Sequence, residues 1–191
     1  MSNKIREIQA VLESAGRANK YRVSFAFPQS VDNKADLKEI DVLAKSAIAP
    51  ARDIGVIELW NQGRKLVQPG DTTFSNEWSL DFYLSEDHKL RYDFIKWQNA
   101  CDNFHKNTHS GRPSEVMTSI RLSQLDSQGQ ETANYTLHNV FPMSVGEVTY
   151  GDDSENTVTE FNVSFSYTDF VIGTAEEDDY KLSTPSRQAT A

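Results

Sequence analysis

Between residues 76 and 104 the chain changes its hydrophobic period once, and the change marks a strand followed by a helix. From Asn76 to Leu84 apolar and polar positions alternate. Trp78, Leu80, Phe82 and Leu84 share one face, and Glu77, Ser79, Asp81 and Tyr83 share the other. A period of two belongs to a half-buried strand. From Ser85 the spacing becomes helical, with Leu90, Phe94, Trp97, Cys101 and Phe104 stacked along one stripe. Ser85 is the expected N-cap of a helix over about 85–104, and Glu86, Asp87 and His88 are expected to cap its positive end.

The same reading extends along the chain. Residues 3–15 predict a short amphipathic helix with Ile5, Ile8, Leu12 and Ala15 in line and Gly16 as its stop. Its charges oppose the helix dipole, with Lys4 and Arg6 near the start and Glu13 near the end, so it needs a packing partner. Tyr21 to Phe27 reads as a strand ended by Pro28, and residues 29–41 as a polar loop with one helical turn around Ala35–Ile40. Between Leu43 and Phe74 the apolar runs are short. Val56-Ile-Glu-Leu-Trp60 and Leu66-Val67 are split by Asn61-Gln-Gly63, which predicts a hairpin with Gly63 at its turn.

After the helix, Val116, Thr118, Ile120 and Leu122 alternate as a strand, Asp126 to Gly129 turns the chain, and Glu131 to Val140 returns beside it. Val145 to Tyr150 is expected to open another hairpin, turned at Gly151-Asp-Asp-Ser. Its return strand carries Phe161, Val163, Phe165 and Tyr167 on one face and Asn162, Ser164, Ser166 and Thr168 on the other. Residues 174–191, acidic and then rich in Ser, Thr and Pro, read as a flexible tail, leaving 1–173 as a single domain. No repeats occur.

Charge changes the picture in one respect. The net charge is −9, and it is unevenly placed. Residues 1–121 hold 17 basic and 16 acidic side chains, whereas residues 122–180 hold 12 acidic ones and no Lys or Arg. Grip on nucleic acid requires the opposite, so tight DNA binding through the acidic third is excluded. The one cysteine, Cys101, rules out an internal disulfide and fits a reducing compartment. The start of the chain lacks the apolar run of a secretory signal, and no stretch approaches the ~18 apolar residues of a membrane helix. These features predict synthesis in a cytoplasm and no membrane anchoring.

Little in the sequence suggests catalysis. Cys101, His105 and His109 would align as metal ligands only if the helix ran on through all three, and no fourth ligand is evident. A buried thiol and two surface histidines is the expected reading. Gly151-Asp-Asp-Ser-Glu155 lacks the alternating carboxylates of a calcium loop. Nucleophile-elbow, phosphate-loop and dinucleotide fingerprints are absent from the sequence. No enzyme and no cofactor is expected.

Three ordered segments carry a resemblance. Gly-Asp-Thr-Thr-Phe-Ser-Asn-Glu-Trp (70–78) with Tyr-Asp-Phe-Ile-Lys-Trp-Gln (92–98), then Val-Phe-Pro-Met-Ser-Val-Gly-Glu-Val (140–148), resemble the tail tube proteins of contractile-tailed phages. Ala18-Asn-Lys-Tyr-Arg-Val23 resembles that family's entry into its first strand, and the likeness covers about residues 5 to 170. The implied fold is mainly β, an antiparallel β-sandwich or partial β-barrel with one flanking helix and a short N-terminal helix. In it, 29–41 is a loop insertion and 50–75 an extended hairpin or loop.

The resemblance further implies hexameric rings whose edge strands close one ring-wide barrel, stacked into the inner tube of a virion tail. The implied partners are further copies of the chain, the tail sheath, the baseplate and the tail terminator, with DNA passing through without specific binding. On that view Glu160, Asn162, Ser164, Ser166, Thr168 and Glu147 are candidates for the lumen face, against the alternative that this face is outer solvent surface. Ile57, Leu59, Trp60 and Arg64 of the hairpin, with Ile5, Ile8 and Leu12, are candidates for contact between subunits or rings, against a surface hairpin of no special role. Three other readings stay open: the inner tube of an injection system passing protein effectors, a tube initiator at a baseplate, and a monomeric β-sandwich binding a ligand such as a sugar.

Overall fold

The apolar faces of the strand and the helix meet in a cluster of aromatic rings. The computed structural model describes residues 16–31, 37–103, 108–109, 112–151 and 157–174. In chain order its elements are β1 (Tyr21–Phe25), α1 (Leu37–Leu43), β2 (Ala44–Ala47), β3 (Arg52–Asn61), β4 (Arg64–Phe74), β5 (Glu77–Tyr83) and α2 (Lys89–Cys101). There follow β6 (Asp102–Asn103), β7 (Thr108–His109), α3 (Pro113–Val116), β8 (Thr118–Leu125), β9 (Glu131–Val145), β10 (Glu160–Ser166) and β11 (Asp169–Thr174). Phe94, fully buried on α2, lies 5.4 Å from the ring of Phe82, 5.6 Å from Phe27 and 5.7 Å from Phe165. Each such aromatic contact adds about 0.5–1.5 kcal/mol beyond the area it buries.

The fold is mainly antiparallel β, with strand order β1-β8-β9-β10-β5-β2 and β11 also paired to β9. The long strand β9 belongs to both halves. Its first part pairs with β8 on one side and β11 on the other, and Phe141–Val145 pairs with β10. Between them Asn139 adopts φ +55°, and the register against β8 shifts. A bulge of this kind bends a strand and increases its twist, and here it carries β9 from one sheet into the other. The two faces enclose Val23, Ile120, Leu137 and Val140 from one side and Trp78, Leu80, Phe82, Phe161, Val163 and Phe165 from the other. Helix α2 lies along the second half of β9, where Gln98 Nε2 donates to Met143 O at 3.1 Å and Arg91 Nη2 to Gly146 O at 3.3 Å. One edge is thereby covered instead of left open.

Several local expectations need correction. The helix begins at Lys89, not Ser85. Ser85 uses its hydroxyl to donate to the Asp87 carboxylate at 2.8 Å, so it is not the cap. His88 occupies the N-cap position with φ +53° and makes no side-chain cap bond; Asp87 accepts the Lys89 N–H at 3.3 Å instead. The helix ends at Cys101, where Asp102 turns extended, and His109 lies in β7, so these two share no helical stripe. Phe104, His105 and the His109 side chain lie outside the described residues, as do 1–15 with Ile5, Ile8 and Leu12, the Asp152–Glu155 stretch and the tail beyond 174.

Part of the polar loop is helix: α1 runs Leu37–Leu43, and Asp41 in it accepts the Val23 N–H at 3.1 Å. Val116 sits in the short helix α3, not on a strand, and its carbonyl accepts Trp97 Nε1–H at 2.6 Å. The hairpin partner of β10 is Phe141–Val145, because Val145 pairs with Val163; residues 146–151 are not strand.

Candidate functional site

Two surfaces gather the predicted site residues. The first is the outer face of β10. Glu160, Asn162, Ser164 and Ser166 alternate with the buried Phe161, Val163 and Phe165 and lie opposite Tyr83, Asp81, Ser79 and Glu77 of β5. The small polar side chains are tied together. Asn162 Nδ2 donates to Asp81 Oδ1 at 2.7 Å, and Ser46 Oγ donates to Asp81 Oδ2 at 2.5 Å. These two hydrogen bonds, from Ser46 first and Asn162 second, hold the Asp81 carboxyl below its ordinary range.

Glu160 is paired with Lys45 of β2 at 2.5 Å, and that bond raises the Lys45 ammonium above its usual value. A cation from outside the acidic third therefore compensates the carboxylate nearest the candidate lumen face. Glu147 joins Glu160 at a cleft of about 310 Å³ with Thr149, Thr157, Val158 and Thr159. Thr168 does not join the face. It lies past the end of β10, exposed, with its N–H donating to His138 O at 3.1 Å.

Other carboxylates of the acidic third are also committed. Glu131 pairs with Arg121 at 2.6 Å, and Asp126 accepts the N–H groups of Gln128 and Gln130 at 2.7 and 2.9 Å in the β8–β9 turn. Much of the surplus negative charge belongs to Asp152, Asp153, Glu155 and residues 176–179, outside the described chain.

The second surface is the β3–β4 hairpin. Among the described residues its strands pair only with each other, and Gln62 and Gly63, at φ +49° and +77°, form the two-residue turn that matches strand twist. All of β3 is exposed. Directly paired residues share a face. One face thus carries Val56, Trp60, Val67 and Pro69 with the Glu58–Lys65 ion pair, and the other carries Ile57, Leu59 and Leu66 with Arg64 near the tip. Seven apolar side chains here are about half exposed or more, Trp60 the most at 69%. A two-stranded hairpin is marginally stable alone in water, and patches of this kind mark contacts.

Sequence reasoning missed Lys45, Ser46 and Asp81, the partners that organise the β10 face. Their alternation placed Asp81 outward but gave no hint of the neighbour across the sheet. The ligand-binding reading expects an aromatic-lined pocket. One cleft of about 700 Å³ is lined instead by Gln29, Ser30, Ser114, Glu115 and Thr118 beside Phe27, Pro28 and Met117.

The chain is similar to known proteins along most of its length. A tail tube protein of Serratia phage KSP90 is 23% identical over 168 residues, covering 85% of this chain and 93% of that protein. Tail tube protein gp19 of Enterobacteria phage T4 is 26% identical over 123 residues, covering 64% and 75%. Among solved structures, a chain of the anti-feeding prophage baseplate shares the fold with a TM-score of 0.62 at 14% identity, covering 86% of this chain and 99% of that one. A chain of the sheath–tube complex of an extracellular contractile injection system follows at 0.58, also 14% identical, covering 87% and 97%. The family model described as phage tail tube protein matches residues 16–173, and the chain belongs to that family: it is a structural protein of the virion tail tube, of the contractile T-even-like type, and not an enzyme.

Proposed function

We propose that six copies of this chain close a ring, that rings stack into the inner tube of a contractile tail, and that the β3–β4 hairpin of each copy bridges to its neighbours. The tube unit is residues 1–173, with 174–191 as an appended tail. Sheath packs outside the tube, and baseplate and terminator close its ends. The observation that carries the reading is the hairpin itself. Its apolar residues on two faces find nothing to cover them among the described residues, and a heterologous contact between copies covers them while building a ring or a stack. The relatives named tail tube protein support self-assembly, and the sheath–tube and baseplate assemblies containing the structural neighbours support the partners.

The outer face of β10 with Glu147 is the proposed lumen wall: small, hydrogen-bonded polar groups and carboxylates, and a lone lysine engaged with Glu160. Among its described residues such a wall offers phosphates no unpaired cation, and its repulsion reaches only about a Debye length of 8 Å. A conduit for protein effectors is the second reading, favoured by the injection-system neighbours. The higher sequence identity lies with phage tubes, which favours a genome conduit.

Negative-stain electron microscopy of the concentrated protein, alone and with added tail initiators, tests assembly. Hollow tubes or holed rings are expected. A monomer that joins nothing under both conditions would remove the tube reading. A variant with residues 56–69 replaced by Asn-Gly tests the bridge, and normal tubes from it would refute the hairpin's role.

A further inference from the structure

Gly70 opens the Gly-Asp-Thr-Thr-Phe segment, and neither the fold nor the lumen face explains it. It lies at the one irregularity in the hairpin. Ile54 pairs with Thr72 and Val56 with Pro69, so Gly55 on β3 faces two residues, Gly70 and Asp71, on β4. That is a β-bulge, which bends the strand carrying it. The two glycines allow the backbones to come together. A Cβ on Gly70 would lie 3.1 Å from the carbonyl carbon and oxygen of Gly55, and one on Gly55 would lie 3.3 Å from Asp71 O. These neighbours are backbone, so an added atom fits only if one strand gives by a few tenths of an ångström at the bend. Pro69, which lacks an N–H, adjoins the irregularity, where the ladder can spare one.

The bulge also keeps each face continuous. A one-residue slip would move every side chain of one strand to the opposite side. With the extra residue in β4, Ile54 and Val56 stay on the face that carries Trp60, Val67 and Pro69.

We propose that the Gly55–Gly70 bulge is the aiming joint of the hairpin, and that these glycines are positioning residues for contact between copies. The inference rests on the bridging role of the hairpin proposed above. Six residue pairs lie beyond the joint, a lever of roughly 20 Å at about 3.3 Å per residue. A change of about 10° in the bend swings the tip by roughly 3.5 Å, near the spacing of successive residues on a strand. Trp60 and Arg64 would then miss their seats while the subunit core, which the hairpin meets at its base through Phe74, stays intact.

The test compares Gly70→Ala, Gly55→Ala and the 56–69 truncation with the parent chain. The readouts are subunit melting, the critical concentration of tube growth, and the helical rise and twist of tubes by cryo-electron microscopy. The glycine variants are expected to melt with the parent and to need at least about tenfold more protein to assemble, or to form tubes of altered twist. Parental critical concentration and parental twist in both would overturn the inference. So would both variants melting well below the parent, because the glycines would then serve the subunit fold. Should the truncation assemble normally, the bridging role itself falls and takes this inference with it. Failure of the truncation beside parental behaviour of both glycine variants removes the aiming joint alone.

Discussion

Replacing Trp60 by alanine separates assembly from folding, because Trp60 stands at the distal end of β3 and touches water. It is 69% exposed. A tryptophan buries up to about 250 Å², so roughly 170 Å² of it is available to a neighbour. At about 25 cal/mol per Å² full coverage contributes about 4 kcal/mol, and coverage of roughly two-thirds about 3 kcal/mol. Each 1.4 kcal/mol is a factor of ten, so Trp60→Ala should raise the critical concentration for tube growth about a hundredfold. The free subunit should lose no more than about 0.5 kcal/mol, the usual scale for an exposed site. Sedimentation across a concentration series measures the first quantity and urea unfolding of the unassembled subunit the second. A critical concentration within about threefold of the parent, less than 0.7 kcal/mol, would refute the bridging role of this side chain. A large drop in subunit stability would refute the claim that the distal part of the hairpin lies outside the core.

Other expectations concern the core, the sheet face and the wall. Trp97→Phe removes the hydrogen bond to Val116 O and leaves that buried acceptor unpaired, which should cost about 1–3 kcal/mol in urea unfolding. The Asp87 carboxyl is held down to about 2, first by Lys89 and then by Ser85, and Asp81 is held low by Ser46 and Asn162. Groups whose folded-state pKa is depressed stabilise above the unfolded value of 3.8 and lose that contribution as pH falls through the folded one. The stability gap between the parent and Asp87→Asn should therefore be full at neutral pH and close between about pH 4 and 2 in unfolding titrations. Glu147→Lys with Glu160→Lys sets a new cation beside Lys45. Tubes should still form while genome delivery slows, and unchanged infectivity would sink the lumen assignment.

Where a period was complete, the fold was legible. Trp78, Leu80 and Phe82 of β5, Leu90, Phe94 and Trp97 of α2, and Phe161, Val163 and Phe165 of β10 are buried as their spacing predicts. The helix start was misread for a physical reason. A serine followed by two acids has two uses for its hydroxyl, and Ser85 donates to Asp87 where an N-cap would accept from the backbone. The end of β9 was misread because Val140-Phe-Pro-Met-Ser-Val145 carries no alternation. Only the left-handed Asn139 and the register shift beside it explain how Leu137 and Val140, three residues apart, both come to be buried. Pairing across a sheet is a property of two distant segments, and no local pattern in β2 foretells that Lys45 will meet Glu160.

The assembly surface was legible in a different way, through what the local pattern failed to satisfy. Val56 to Trp60 is nearly unbroken apolar sequence, which in a strand buried on both faces would be ordinary. Here the strand has a single partner among the described residues, β4, with Leu66, Val67 and Pro69 answering it and the turn at Gln62-Gly63 closing it off. Such a sequence is consistent with only two situations, a central strand of a covered sheet or a hairpin that other chains cover. The fold removes the first, since β3 and β4 form a sheet of their own. What the sequence could not supply is direction. The reach of the hairpin depends on the bulge at Gly55 and Gly70, and two glycines fifteen residues apart look like any loop until the backbones are seen in contact.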